Sequence, residues 1–228
     1  MAMNSKEYSP CDYVIGVMDN KPKPLTKEIF NSLLDGMDVR MNIEKVREHT
    51  PQSDNYKRAL PGITWQSKFG GQLRTDKNAE SSGLFCLDVD IHHEDHFREL
   101  LNTKGADAAW EWGEKEARER IARWTAMAEA EESQPAKPGE ELDIVAIHLS
   151  PQGAGAHVIA LCQPYCNSIE EDQARLARVL GTSYDRVCKD AARTFFIAPR
   201  EDWMYLDIET LFPEEQDPLT ATTIAPLC

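Results

Sequence analysis

The chain has 228 residues, of which 41% are hydrophobic, and a formal net charge of -14. That apolar content can fill a core, but no run approaches the roughly 18 consecutive apolar residues of a membrane-spanning helix, so no membrane partner is expected. So acidic a chain would ordinarily exclude nucleic acid, yet the charge is uneven. Lys and Arg about balance Asp and Glu before residue 80, and the acid excess lies beyond Gly83. A nucleic-acid surface is therefore expected in the first third. Six cysteines (Cys11, Cys86, Cys162, Cys166, Cys188, Cys228) form no C-x-x-C pair and follow no signal peptide, a pattern of reduced thiols in a cytoplasmic protein.

In chain order, Tyr13 to Met18 is an apolar patch that reads as an added edge strand. Leu25 to Thr50 has helical spacing in Ile29, Leu33 and Leu34, a stop at Gly36, and a second helix around Ile43 and Val46. Asp54 to Asn78 interleaves Lys57, Arg58, Lys68, Arg74 and Lys77 with Tyr56, Trp65 and Phe69, among Gly62, Gly70 and Gly71. Such a stretch suits a mobile loop that grips phosphates and stacks bases; a solvated loop anchored by Trp65 has the same composition. Residues 1–80 form an N-terminal extension on this reading, 81–212 a core, and 213–228 a tail or linker.

The core starts with Gly83-Leu84-Phe85-Cys86-Leu87-Asp88-Val89-Asp90. In a strand, side chains alternate, so Phe85, Leu87 and Val89 face one way while Cys86, Asp88 and Asp90 face the other. Carboxylates at i and i+2 stand about 7 Å apart, near enough to share divalent cations that relieve their repulsion; a strand running into an acidic turn carries the same residues. Helical composition follows from Glu94 to Leu101 and from Ala106 to Glu132, broken by Pro135 and Pro138. His92, His93 and His96 are weak metal ligands on spacing, because adjacent histidines point apart and only His92 or His93 with His96 has helical spacing. Asp143 to Ser150 and Ala156 to Cys162 read as a hairpin, Ile169 to Leu180 as an amphipathic helix, Arg193 to Ala198 as a last core strand, and Trp203 to Ile208 as an added strand.

This order is the β-α-β-β-α-β sequence of a ferredoxin-like (RRM-like) α+β fold. There the first and third strands are antiparallel neighbours and the fourth flanks the first. The end of the Asp88/Asp90 strand would then meet His157, Asp190 and Arg193 at one edge.

Those residues carry a resemblance. The Asp-apolar-Asp strand, the turn Ser150-Pro151-Gln152-Gly153-Ala154-Gly155-Ala156-His157, and Asp190-Ala191-Ala192-Arg193-Thr194-Phe195-Phe196 resemble the three motifs of the archaeo-eukaryotic primase superfamily. Leu60-Pro61-Gly62-Ile63-Thr64 also stands where the VirE N-terminal, primase-like family of bacterial mobile elements has a similar segment. The likeness runs from about Leu25 to Phe212. It implies a primase-type core, Mg2+ or Mn2+ held by Asp88, Asp90 and Asp190 (with Asp185 or Asp207 as alternatives for the third acid), and catalytic roles for those acids and His157. It further implies nucleotide binding by Ser150, Gly153, Gly155, His157 and Arg193. Nucleoside triphosphates, a single-stranded DNA or RNA template and a replicative helicase are the expected partners, in replication of a mobile element or phage. The same plait with an idle metal site, recognising nucleic acid or a replication partner, is the alternative.

Overall fold

Antiparallel sheets and helices build a mixed α+β structure in the computed structural model, which describes residues 8–134, 136–137 and 139–214. The strands are β1 (Asp12–Val14), β2 (Lys23–Pro24), β3 (Gly62–Thr64), β4 (Ser67–Lys68), β5 (Glu80–Ser81), β6 (Leu84–Asp90), β7 (Ile144–Leu149), β8 (Gly155–Leu161), β9 (Phe195–Phe196) and β10 (Trp203–Leu206). The helices are α1 (Lys27–Leu34), α2 (Met37–Arg47), α3 (Ser53–Ala59), α4 (Asp95–Thr103), α5 (Ala106–Ser133), α6 (Ile169–Leu180) and α7 (Ile208–Leu211). Pro135, Pro138 and the tail from residue 215 lie outside the described residues. No helix among the described residues is long and apolar enough to cross a membrane.

The main sheet has the order β10-β7-β8-β6, and a second sheet the order β2-β1-β3-β9. Alternation along β6 explains the layers. Phe85, Leu87 and Val89 enter a core with Ile121 and Trp124 of α5 and Leu176 and Leu180 of α6. Burying each such side chain contributes roughly 1.5–3 kcal/mol. Leu84 and Cys86 enter the other core with Phe30, Leu34, Ile63 and Trp65 from the N-terminal third. The main sheet is thus covered on both faces at the Leu84 end, and the second cover stops short of Asp88 and Asp90. Helix α6 begins where the Ser168 side chain accepts the Glu171 amide proton, with Glu170, Glu171 and Asp172 opposite the positive end of its dipole.

Three expectations change. The patch at Tyr13 is not an edge, since β1 lies between β2 and β3. The stretch from Asp54 to Asn78 is not one loop but holds α3, β3, β4 and a 3-10 turn over Asp76–Asn78. Most consequentially, the strand after Arg193 is only two residues long and pairs with β3, not β6: Ile63 opposes Phe195 and Gly62 opposes Phe196. The place it was expected to fill is taken. Along the outer edge of β6, the Gln173 side chain donates to the Cys86 carbonyl at 2.9 Å, and the Asp185 amide donates to the Asp88 carbonyl at 2.8 Å. With those acceptors satisfied, β6 needs no flanking strand.

Candidate active site

The pairing of β6 with β8 sets Asp88 directly opposite His157, and Asp90 opposite Gly155. The two acids line a cleft of about 740 Å³, together with His157, Ser150, Asp185, Asp190, Arg193, Lys57 and Arg74. Gly155 makes the approach possible, because a Cβ there would sit 2.5 Å from the Val89 carbonyl oxygen and 3.0 Å from Ser150 Oγ.

Proton placement in the site follows from the histidines. His148 Nδ1 lies 2.9 Å from the Leu149 carbonyl, which can only accept, so that nitrogen carries the proton. Its Nε2 then accepts from His157 Nδ1, 3.3 Å away, and His157 Nε2 is left with a lone pair. Both rings are neutral in this arrangement. Burial pushes His148 well below the usual histidine value, and burial plus the nearby Lys57 and Arg193 charges push His157 down to about 3. Trp203 stacks on His148 at 4.2 Å and fixes the ring.

The His157 lone pair faces Asp88 Oδ1 at 3.5 Å, without hydrogen-bond geometry, and that buried oxygen has no hydrogen-bond partner. Burial raises the Asp88 pKa, with Asp185 adding to the rise. The other oxygen, Oδ2, accepts from the Cys188 thiol at 3.3 Å, and the same thiol donates to Asp185 Oδ2 at 3.4 Å. Burial and the adjacent acids push the Cys188 thiol strongly up, so it keeps its proton and serves as a donor. An unpartnered buried carboxylate oxygen facing a lone pair, with a further carboxylate and a thiol at hand, is an arrangement that could hold a metal cation.

Of the candidate third acids, Asp185 is the one beside Asp88: its carboxylate lies with the Asp88 carboxylate and the Cys188 thiol in a group whose ligand atoms are within 4.8 Å of one another. Asp190 lines the same cleft, with its carbonyl accepting the Arg193 amide at 2.9 Å. Asp207 caps α7 by accepting from the Thr210 amide at 3.0 Å and does not line the cleft.

The glycine turn differs from expectation. Ser150 lines the cleft, but Gly153 does not, and its amide is used within the turn, donating to the Ser150 carbonyl at 2.9 Å. Arg47 clamps the turn from outside through the carbonyls of Ser150 and Pro151 and pairs with buried Asp202 at 2.7 Å. Gly155 serves strand approach, and His157 Nε2 has no proton to offer a phosphate oxygen.

Among the expected nucleic-acid contacts, Trp65 and Phe69 are both 1% exposed and unavailable for stacking. Trp65 instead meets Phe30 and Trp203 edge-on, and the Phe69 amide donates to Asp12. Arg74 reaches the cleft but spends its guanidinium on the carbonyls of Ala192 and Val17 at 3.1 and 3.0 Å. Lys57 faces the cleft from α3, held by Gln152 Oε1 at 3.2 Å. Arg58 lies on α3, Lys68 Nζ stands 5.6 Å from the Tyr8 ring centroid, and Lys77 sits on the 3-10 turn; none of the three lines the cleft.

Spacing failed to single out Cys188 and the adjacent pair His92 and His93. A 3-10 turn over Ile91–His93 brings both rings to Asp90, with Nδ1 atoms 3.5 and 3.7 Å from its oxygens, so the two do not point apart. Comparison of the chain with family models, curated proteins and solved structures finds no match.

Proposed function

We propose that the chain is a metal-dependent nucleotidyltransferase of primase type, joining nucleotides on a single-stranded template in replication of a bacterial mobile element or phage. The observation that carries this reading is the buried, unpartnered Asp88 Oδ1 beside Asp185 and Asp90 at a cleft that Lys57 and Arg193 also line. The cleft has the volume of a small-molecule site. The neighbour order β6-β8-β7 supports this reading, because a ferredoxin-like sheet sets its first, third and second strands side by side in that order.

Asp88, Asp185 and Asp90 would hold Mg2+ or Mn2+, which stabilise the attacking and leaving oxygens of an in-line phosphoryl transfer when bound. His157, fixed by His148, keeps a lone pair on the acid side of the cleft. Arg193 and Lys57 neutralise charge on the triphosphate. Asp190 stands on the same wall and receives no separate step. The template enters along the Lys57 side of the cleft, where the chain's charge is balanced, and electrostatic contact there makes binding salt-dependent. A replicative helicase is the protein partner this reading implies, in the cytoplasm.

The test is incorporation of labelled nucleotides on single-stranded template with magnesium or manganese. Template-directed product from the unmodified protein, abolished by Asp88→Asn together with Asp185→Asn, is the expected result. Absence of product with every template and both metals, in protein that still binds single strands, would overturn catalysis in favour of the idle binding module.

A further inference from the structure

We propose that Asp90, His92 and His93 form a second cation site of mixed nitrogen and oxygen character, selective for borderline first-row ions such as Co2+ or Zn2+ over Mg2+. The site shares Asp90 with the carboxylate set at Asp88 and Asp185 but takes its other two ligands, His92 and His93, from outside it, and it stands whether or not the chain joins nucleotides.

The geometry carries the assignment. His92 Nδ1 is 3.5 Å from Asp90 Oδ1, His93 Nδ1 is 3.7 Å from Asp90 Oδ2, and one ligand atom from each residue lies within 4.8 Å of the others. Ligands about 2.0 Å from a tetrahedral ion stand about 3.3 Å apart, so closing three atoms that lie within 4.8 Å of one another on a cation takes a movement of at most about 1.5 Å. Two imidazoles beside one carboxylate make a donor set that suits Zn2+, Co2+ or Ni2+, whereas Mg2+ prefers an all-oxygen shell.

The rings are also held in place. His92 packs edge-on to Phe97 and stacks at 6.0 Å with Trp110. His93 is the outer ligand, with its side chain 62% exposed, so an ion reaches the site without opening the core. Because Asp90 and His92 line the cleft, water or a phosphate oxygen there can complete the shell.

The test is titration of the metal-free full chain with Co2+, read by visible absorption, alongside calorimetric titration with Zn2+ and Mg2+. One Co2+ with the intense bands of a four-coordinate nitrogen and oxygen site is expected, bound at least tenfold more tightly than Mg2+. His93→Ala, at an exposed position, should weaken Co2+ by more than the roughly 10–100-fold that loss of an outer-shell partner costs. His92→Ala combined with His93→Ala should abolish the bands, while Cys188→Ser leaves them unchanged. Bands that persist in the double histidine variant, bands lost in Cys188→Ser, or equal affinity for Mg2+ and Co2+ would each overturn the assignment. Nucleotide transfer is not read in this experiment, so its outcome is independent of that activity.

Discussion

Replacing Asp88 with asparagine should make the protein more stable and less able to bind magnesium. The Asp88 side chain is 15% exposed, its Oδ1 is unpartnered, and it faces the His157 lone pair at 3.5 Å. Burial raises its pKa, so the stability it contributes is fully present below the unfolded-state value and is lost as pH rises through the folded value. At neutral pH the ionised group therefore costs the fold. An asparagine amide supplies the missing donor to His157 Nε2, and its oxygen still accepts from the Cys188 thiol. Relief of a buried unsatisfied group is worth about 1–3 kcal/mol. For a chain of this size each kcal/mol moves the melting temperature by about 2–4 °C, so Asp88→Asn in a chelating buffer should melt about 2–12 °C higher. Magnesium at about a hundred times its dissociation constant adds roughly 2.7 kcal/mol to the unmodified protein and almost nothing to the variant. The assay is thermal unfolding by circular dichroism with chelator and with magnesium. A variant less stable than the parent in chelator, or an equal magnesium response in both, would refute the reasoning.

Other expectations follow from the same geometry. His148 and His157 are buried neutral, with folded values below the unfolded one, so the stability they contribute is present above about pH 6.5 and is lost as pH falls below it, by up to about 1.4 kcal/mol per pH unit each. Denaturant unfolding between about pH 6 and 4 should show that slope, and His148→Gln should reduce it. Arg47→Met leaves the 3% exposed Asp202 carboxylate with only Arg118, 3.8 Å away, and should cost about 3–5 kcal/mol; adding Asp202→Asn should recover part of the loss in chemical denaturation. Gly155→Ala places a Cβ against the Val89 carbonyl, a backbone atom that yields only if β6 shifts, and should lower stability by about 1–3 kcal/mol in the same measurement.

Local pattern made the centre of the fold legible. Alternation placed Asp88 and Asp90 on one face of β6, the turn after Ser150 gave the hairpin of β7 and β8, and amphipathic spacing from Ile169 to Leu180 gave α6. What stayed hidden depends on distant partners. A two-residue strand at Phe195 has no periodicity to read, and its choice of β3 over β6 was decided by Gln173 and Asp185 capping the β6 edge. Trp65 and Phe69 looked like loop aromatics because basic residues surround them in sequence, yet both are buried, Trp65 edge-on against Phe30 of α1. The approach of Asp185 and Cys188 to Asp88 joins residues about a hundred positions apart through a 3-10 turn, and the convergence of His92 and His93 on Asp90 needs a turn conformation that spacing does not encode.

The most direct measurement is anomalous diffraction from crystals of the protein soaked with manganese and a non-hydrolysable nucleoside triphosphate. The account predicts a manganese peak in ligand contact with Asp88 Oδ1 and the Asp185 carboxylate, with the triphosphate against Arg193 and Lys57. A nucleotide bound elsewhere, or no manganese at Asp88 while a triphosphate occupies the cleft, would contradict it.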